Sequence, residues 1–178
     1  MGGNLAKSSK ETILQDEMKV LDILEQNSKD SVDGIAKRSG LSRQKVWRII
    51  KDLENRKVIW GYAAVTDEEM RCLKHFILLV KRTNVPFDDT VRQEVTFDKL
   101  DNYPSGLIKI ENIYLTHGIS DWVLTFYASD IRSAKKFVEH TFRRLSKYIQ
   151  EYFIIETLFP VRKQGMKNPK MKQLVEYL

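Results

Sequence analysis

The sequence predicts an α+β chain, a small helical domain carrying a winged helix-turn-helix followed by a ferredoxin-like βαββαβ domain. Three observations lead there. Two short helical patterns flank the turn Gly40-Leu41-Ser42. From residue 73 to residue 159, β-prone and helical stretches alternate as strand, helix, strand, strand, helix, strand. The charge is also unevenly spread. Residues 1–66 carry 12 Lys/Arg against 9 Asp/Glu, residues 67–158 carry 13 against 14, and residues 159–178 carry 5 against 1. The net charge of +6 therefore sits at the two ends, which favours an anionic partner there and not in the middle.

Residues 1–12 are small, polar and weakly basic, and are expected to form a flexible arm; a DNA-contacting arm and an ordered extension are the alternatives. The domain of residues 13–66 opens on a helical pattern over 13–26. Leu14, Met18 and Leu21 form one stripe, and Val20, Ile23 and Leu24 widen it. Ser31 is placed to cap a second helix that runs through Ser39, and Gly40 can take the positive φ that ends it. Ser42 caps a third helix, from Arg43 to about Arg56. Its Val46, Ile49, Ile50 and Leu53 fall at i, i+3, i+4 and i+7, a core stripe. Gln44, Trp47, Arg48 and Lys51 share that spacing about 200° away, at 100° per residue, and must face outward. A β-prone run over residues 58–65 reads as the wing strand.

Residues 67–72 are expected as a linker, and Thr66 to Arg71 reads as an acidic linker or a helix fragment. In the domain of residues 73–159 a strand is predicted over 75–81, a helix over 87–100, and a turn at Asn102-Tyr103-Pro104-Ser105-Gly106. Strands follow over 107–116 and 121–128, joined by a tight connection at His117-Gly118-Ile119-Ser120. Asp130 caps a helix that presents Ala134, Phe137, Val138, Thr141 and Leu145, and a last strand runs over 149–159. Ile113, Leu115, Trp122, Leu124 and Phe126 suggest that both sheet faces are apolar, so a second copy is expected to cover the face the helices leave open. Residues 160–178 are expected to form a basic tail in which Asn168-Pro169 can open a short docked helix; a frayed tail and a DNA-touching tail are the alternatives.

The helix-turn-helix is the most specific signal. Ala36 is the small residue the helix crossing needs, Gly40 follows four positions later, and Ile35, Leu41, Val46 and Ile49 supply the shared core. Ser42, Arg43, Gln44, Trp47, Arg48 and Lys51 are the candidate DNA-contacting residues. Arg and Lys suit guanine edges or phosphates, Gln suits adenine, and Trp47 packs on a thymine methyl or folds back onto the wing.

Other chemistry is thinly represented. The single cysteine, Cys72, rules out a disulfide within the chain and points to a reducing compartment. No run reaches the roughly 20 apolar residues of a membrane span, and the N-terminus lacks a signal-like apolar core, so a cytoplasmic protein is expected. His75, His117 and His140 are scattered, with no acidic or Cys partner at ligand spacing. There is no Gly-rich phosphate loop. No catalytic residue, metal or cofactor is expected.

From Glu17 to Tyr62 the chain resembles the leucine-responsive (Lrp/AsnC, feast/famine) regulators. The residues concerned are Val20-Leu21, Ile35-Ala36-Lys37-Arg38, Gly40-Leu41-Ser42, Leu53-Glu54, Val58-Ile59 and Gly61-Tyr62. Gly118, Asp121 and Trp122 are similar to that family's Gly-x-x-Asp-aromatic loop. Lys57 stands where the family usually has Gly, and Lys147-Tyr148 replaces a usual Pro-Gly. The resemblance implies sequence-specific binding of double-stranded DNA, transcriptional control, and dimers assembling to tetramers or octamers. It also implies an amino-acid effector bound between dimers at Thr116, Gly118, Ile119, Ser120 and Asp121. Siroheme decarboxylases share the architecture; there His117 would be the serving residue.

Overall fold

A computed structural model describes residues 3–94 and 108–178, so the predicted turn at residues 102–106 and part of the helix predicted over 87–100 lie outside it. The chain divides into two compact units. One holds the chain up to Val65 together with Arg162–Pro169; the other holds Thr66–Val161 and Lys170–Leu178.

The first unit is built on α1 (Gly3–Gln26), α2 (Val32–Ser39) and α3 (Arg43–Asn55). Helix α1 starts ten residues earlier than the periodicity suggests, so the arm expected over residues 1–12 is helical from Gly3 onward. Leu14 and Met18, part of the stripe that suggested a later start, are more than half exposed. The core side of α1 is Val20, Ile23 and Leu24, which meet Ile35 of α2 and Val46, Ile49 and Leu53 of α3. Asp16, buried among these helices, pairs with Lys45 of α3.

Both short helices are capped as their sequence demands. Ser31 Oγ accepts from the Gly34 N–H at 3.0 Å and Ser42 Oγ from the Lys45 N–H at 3.3 Å. Gly34 leaves room for the Asp30 carboxylate, which would lie 2.1 Å from a Cβ there. After α3 the chain turns at Lys57, whose φ of 59° keeps the left-handed conformation without glycine. Ile59 then packs on the helical core. The strand expected over residues 58–65 does not form: among the described residues the segment has no ladder partner, and Trp60 is 94% exposed. β-propensity describes the side chains, but a strand also needs a neighbour for its N–H and C=O groups.

The second unit is a four-stranded antiparallel sheet of order β2-β3-β1-β4, made of β1 (Lys74–Arg82), β2 (Lys109–Leu115), β3 (Trp122–Ala128) and β4 (Ile149–Glu156). With α4 (Asp89–Glu94) and α5 (Ile131–Phe142) this is the split βαβ order. Strand alternation sends Phe76, Leu78 and Val80 of β1 and Trp122, Leu124 and Phe126 of β3 to one face. There they pack on Ala134, Phe137, Val138 and Phe142 of α5. Within residues 67–72 the chain forms a helix fragment: Asp67 caps a 3₁₀ turn over Glu68–Arg71 whose buried Glu68 holds Lys109 of β2 at 2.7 Å. That contact holds the Glu68 carboxyl below its usual pKa.

The residues that suggested a second apolar face all lie on the first. Ile113 pairs directly with Leu124 and Leu115 with Trp122, and directly paired residues share a face. The open face is apolar for another reason. It carries Ile77 and Leu79 of β1, Val123 of β3, Tyr114 of β2, and Phe153 and Ile155 of β4. Phe153 and Ile155 are about half exposed, at 55% and 45%.

Beyond the sheet, β5 (Arg162–Lys163) and β6 (Met166–Lys167) form a hairpin where a plain tail was expected. The final helix is 3₁₀, Met171–Tyr177, with Val175 and Leu178 exposed; Lys170, just ahead of it, pairs with Asp67 at 2.6 Å and Glu69 at 2.8 Å.

Lys147-Tyr148, ahead of β4, shows what replaces the Pro-Gly turn. Tyr148 is fully buried and donates to Asp88 Oδ2 at 2.6 Å, which Lys147 also reaches at 3.2 Å. The Tyr148 hydroxyl, then the Val91 N–H, bring the Asp88 pKa from 3.8 to about 2. A depressed carboxyl pKa stabilises the native state fully above the unfolded value and loses that contribution as pH falls through the native one. Tyr148→Phe is therefore expected to flatten the acid loss of stability between about pH 4 and pH 2, read as denaturant midpoint against pH. Phe126→Ala, at the centre of the second core, is expected to cost about 3–5 kcal/mol in the same assay.

Candidate nucleic-acid interface and loop site

The close crossing of α2 and α3 depends on Gly40. It sits at φ 72°, donates its N–H to the Ala36 carbonyl at 3.0 Å, and turns the chain within two residues into the Ser42 cap. With Val46, Ile49 and Leu53 facing the core, α3 has one orientation left, and its opposite stripe faces solvent. Ser42, Arg43, Gln44, Trp47, Arg48 and Lys51 are all exposed, as the spacing predicted.

Their partners differ in a way that matters for binding. Arg43 Nε lies 3.2 Å from Asp33 and Lys51 Nζ 2.7 Å from Glu54, both largely solvent-facing pairs. Such pairs hold a side chain weakly and exchange readily for a phosphate. Gln44 and Arg48 make no side-chain hydrogen bond or ion pair among the described residues. Trp47 is 57% exposed and lines a shallow recess with Val32, Arg43, Gln44 and Arg48. The stripe thus combines an apolar ring, a free amide and free or loosely held cations, the chemistry that reads base edges and phosphates. Behind it, Tyr62 donates to Glu54 Oε1 at 3.1 Å, and Glu54, held by Lys51 and Tyr62, keeps a lowered pKa.

The second predicted site is the turn between β2 and β3. The Thr116 N–H bonds the Asp121 carbonyl at 2.8 Å and its hydroxyl donates to the Ser120 carbonyl at 2.8 Å. Ser120 is buried, Ile119 is 88% exposed, and Gly118 sits at φ 144°, which L side chains rarely adopt. Thr116, Gly118, Ser120 and Asp121 are therefore brought together, while Ile119 points away into solvent.

A residue that sequence spacing could not flag completes this loop. Lys81 Nζ donates to the Gly118 carbonyl at 3.1 Å and lies 3.3 Å from Asp121 Oδ2. The same carboxylate accepts from the Arg82 N–H at 2.8 Å, and that bond, followed by the Lys81 ammonium, holds the Asp121 pKa low. An ammonium of the chain itself thus occupies the acceptors the loop offers. Beside it is a small polar recess lined by Lys81, Arg82, Thr83, Asn84 and Asp121.

The histidines do not gather. His75 Nδ1 meets Thr157 Oγ1 at 2.6 Å and its Nε2 meets Glu111 at 3.1 Å, within the sheet; His117 and His140 are exposed on other elements. Among the described residues no group of three His, Cys, Asp or Glu side chains could hold a metal ion, and no helix is long and apolar enough to cross a membrane.

Residues 17–59 match the family model for winged helix-turn-helix DNA-binding. Over 146 residues, 81% of this chain and 86% of the other, the sequence is 25% identical to the Bacillus subtilis protein described as an uncharacterized HTH-type transcriptional regulator, YugG. Among solved structures, an AsnC family transcriptional regulator from Agrobacterium tumefaciens matches with a TM-score of 0.66 at 20% identity, over 88% of this chain and 97% of that one. The transcriptional regulator NMB0573 of Neisseria meningitidis, solved as a complex with L-Met, matches with a TM-score of 0.63 at 20% identity, over 83% and 91%. AsnC of E. coli matches at 0.58 and 12% identity, over 84% and 95%.

Gly40→Ala is expected to destabilise the first unit by about 1–2 kcal/mol, the cost of a left-handed L-residue, since open space surrounds the would-be Cβ. Thermal unfolding followed by circular dichroism checks this. No loss would mean that the turn tolerates another geometry.

Proposed function

We propose that this DNA-binding transcription regulator, which has the two-domain fold of the Lrp/AsnC regulators, works as a sequence-specific dimer or higher assembly. The observation that carries the reading is the outward stripe of α3, fixed in direction by the core on its other side and carrying two loose ion pairs that a phosphate can displace. Arg48 and Gln44 are the base readers, Arg43 and Lys51 the phosphate contacts, Ser42 a phosphate contact at the helix N-terminus, and Trp47 an apolar contact. One short helix offers about four base-reading side chains, so specificity needs a second copy.

That copy is held through the open sheet face. Ile77, Leu79, Val123, Phe153 and Ile155 form a continuous apolar surface across three strands, the kind of patch that marks association. Tetramers or octamers would be built from such dimers.

Arg48→Ala is expected to weaken binding to the cognate site by about 1–3 kcal/mol while leaving the assembly mass unchanged. Titration of labelled duplex with parallel mass measurement checks both. Equal affinity of the unsubstituted chain for its own upstream DNA and for random duplex, at every salt concentration, would contradict the reading. Phe153→Asp with Ile155→Asp is expected to yield monomers; a dimer that survives both changes would assign the interface elsewhere.

The loop of residues 116–121 supports a further part of the reading, an amino-acid effector. Its ammonium would take the place of Lys81 Nζ at the Gly118 carbonyl and Asp121 carboxylate, with Thr116, Ser120 and Ile119 around it. Lys81→Gln is then expected to raise amino-acid affinity and Asp121→Asn to remove it. Calorimetric silence of both the unsubstituted chain and Lys81→Gln against all the common amino acids would end the effector reading without touching DNA binding.

A further inference from the structure

The hairpin of β5 and β6 has no role in the functions discussed so far. It belongs to the compact unit of the three helices, although it comes from the far end of the chain. Among the described residues it is the only β-sheet in that unit, since residues 58–65 form no strand.

Its chemistry is unusual for so small an element. Arg162 and Lys167 are directly paired across the two strands and both are exposed. Like charges placed opposite one another destabilise an antiparallel pair, and a two-stranded ribbon this short has little stability to lose. Neither side chain makes an ion pair among the described residues, and no Asp or Glu occurs between Glu156 and Glu176. Arg162 Nη1 donates only to the Gly165 carbonyl, at 2.8 Å. The tip that brings the two cations together is well formed: Gln164 and Gly165 sit at φ 47° and 79°, the positive values a two-residue hairpin turn requires. A paired, uncompensated, exposed dication on a shaped ribbon is a site for an external anion.

The unit that carries it supplies the anion's identity. We propose that β5–β6 is a wing contributed by the C-terminus, in which Arg162 and Lys167 contact backbone phosphates of the same double-stranded DNA that α3 reads. The proposal rests on the reading of the chain as a DNA-binding regulator. Phosphate contacts position the protein and carry no base preference, so the hairpin adds affinity and salt dependence without changing sequence choice.

The test is a salt titration of DNA binding by the full chain, cognate and random duplex side by side. Arg162→Gln with Lys167→Gln is expected to reduce the slope of log K against log salt by roughly 2, at about 0.9 for each phosphate no longer neutralised. Its ratio of cognate to random affinity should stay that of the unsubstituted chain. A control with the same loss of charge, Lys135→Gln with Lys136→Gln on the exposed side of α5, should keep the original slope. An unaltered slope in the hairpin variant, or an equal drop in the α5 variant, overturns the proposal, the latter by reducing it to net charge. If the unsubstituted chain binds no duplex at all, the regulator reading itself falls and the wing with it. A hairpin variant with unchanged circular dichroism and mass excludes misfolding as the source of a lower slope.

Discussion

The left-handed backbone at Gly40 is the constraint on which the first unit depends. Two helices of 8 and 13 residues are too short to be stable alone, and become so only by sharing a core. They share it because the chain reverses within Gly40-Leu41-Ser42, which lets Ile35, Val46 and Ile49 meet Val20, Ile23 and Leu24. Once those six side chains are inside, the opposite stripe of α3 has no freedom of direction. The outward placement of Gln44, Trp47 and Arg48 is a consequence of burial elsewhere, which is why a binding surface can be both exposed and rigid.

The second unit is governed by a different asymmetry. Its sheet packs one face against α5, while the other keeps Ile77, Leu79, Val123, Phe153 and Ile155 without a cover from the described chain. Polar residues are collected toward one side of that open face, where Glu111 receives Thr125, Tyr127 and His75 together. Burial, then the hydrogen bond to this carboxylate, raises the pKa of the Tyr127 hydroxyl, so it stays a donor at any ordinary pH. The open face therefore combines an apolar area with a polar cluster whose groups satisfy one another within the chain. Loop 116–121, at the end of the same strands, is tied to β1 through Lys81, Arg82 and Asp121.

Much of this was legible from residue order because it depends on short-range periodicity. The Ser caps, the Gly40 turn, the α3 stripe and the βαββαβ order are all local patterns, and each appears in its predicted place. Features set by distant partners were not legible. Residues 58–65 have the composition of a strand but, among the described residues, no strand to pair with. Lys81 lies 37 residues from Gly118, and only the pairing of Val80 with Trp122 brings them together. The hairpin at residues 162–167 has too few residues to show alternation, and its Gln-Gly tip is a weak turn signal without it. The start of α1 is mostly small and polar, with too few apolar residues to show a helical period. Faces of strands were misassigned because distant partners set them: Ile113 and Leu115 follow the register of β2 against β3, which includes a bulge between Ile110 and Asn112.

The central claim is that two copies present their α3 helices to one DNA duplex, with the sheet setting their separation. Hydroxyl-radical footprinting of the full chain on its own upstream DNA tests it most directly. The account predicts protected patches repeating about one helical turn apart, roughly 10 base pairs, on one side of the duplex. A single isolated patch, or protection with no helical period, would contradict it.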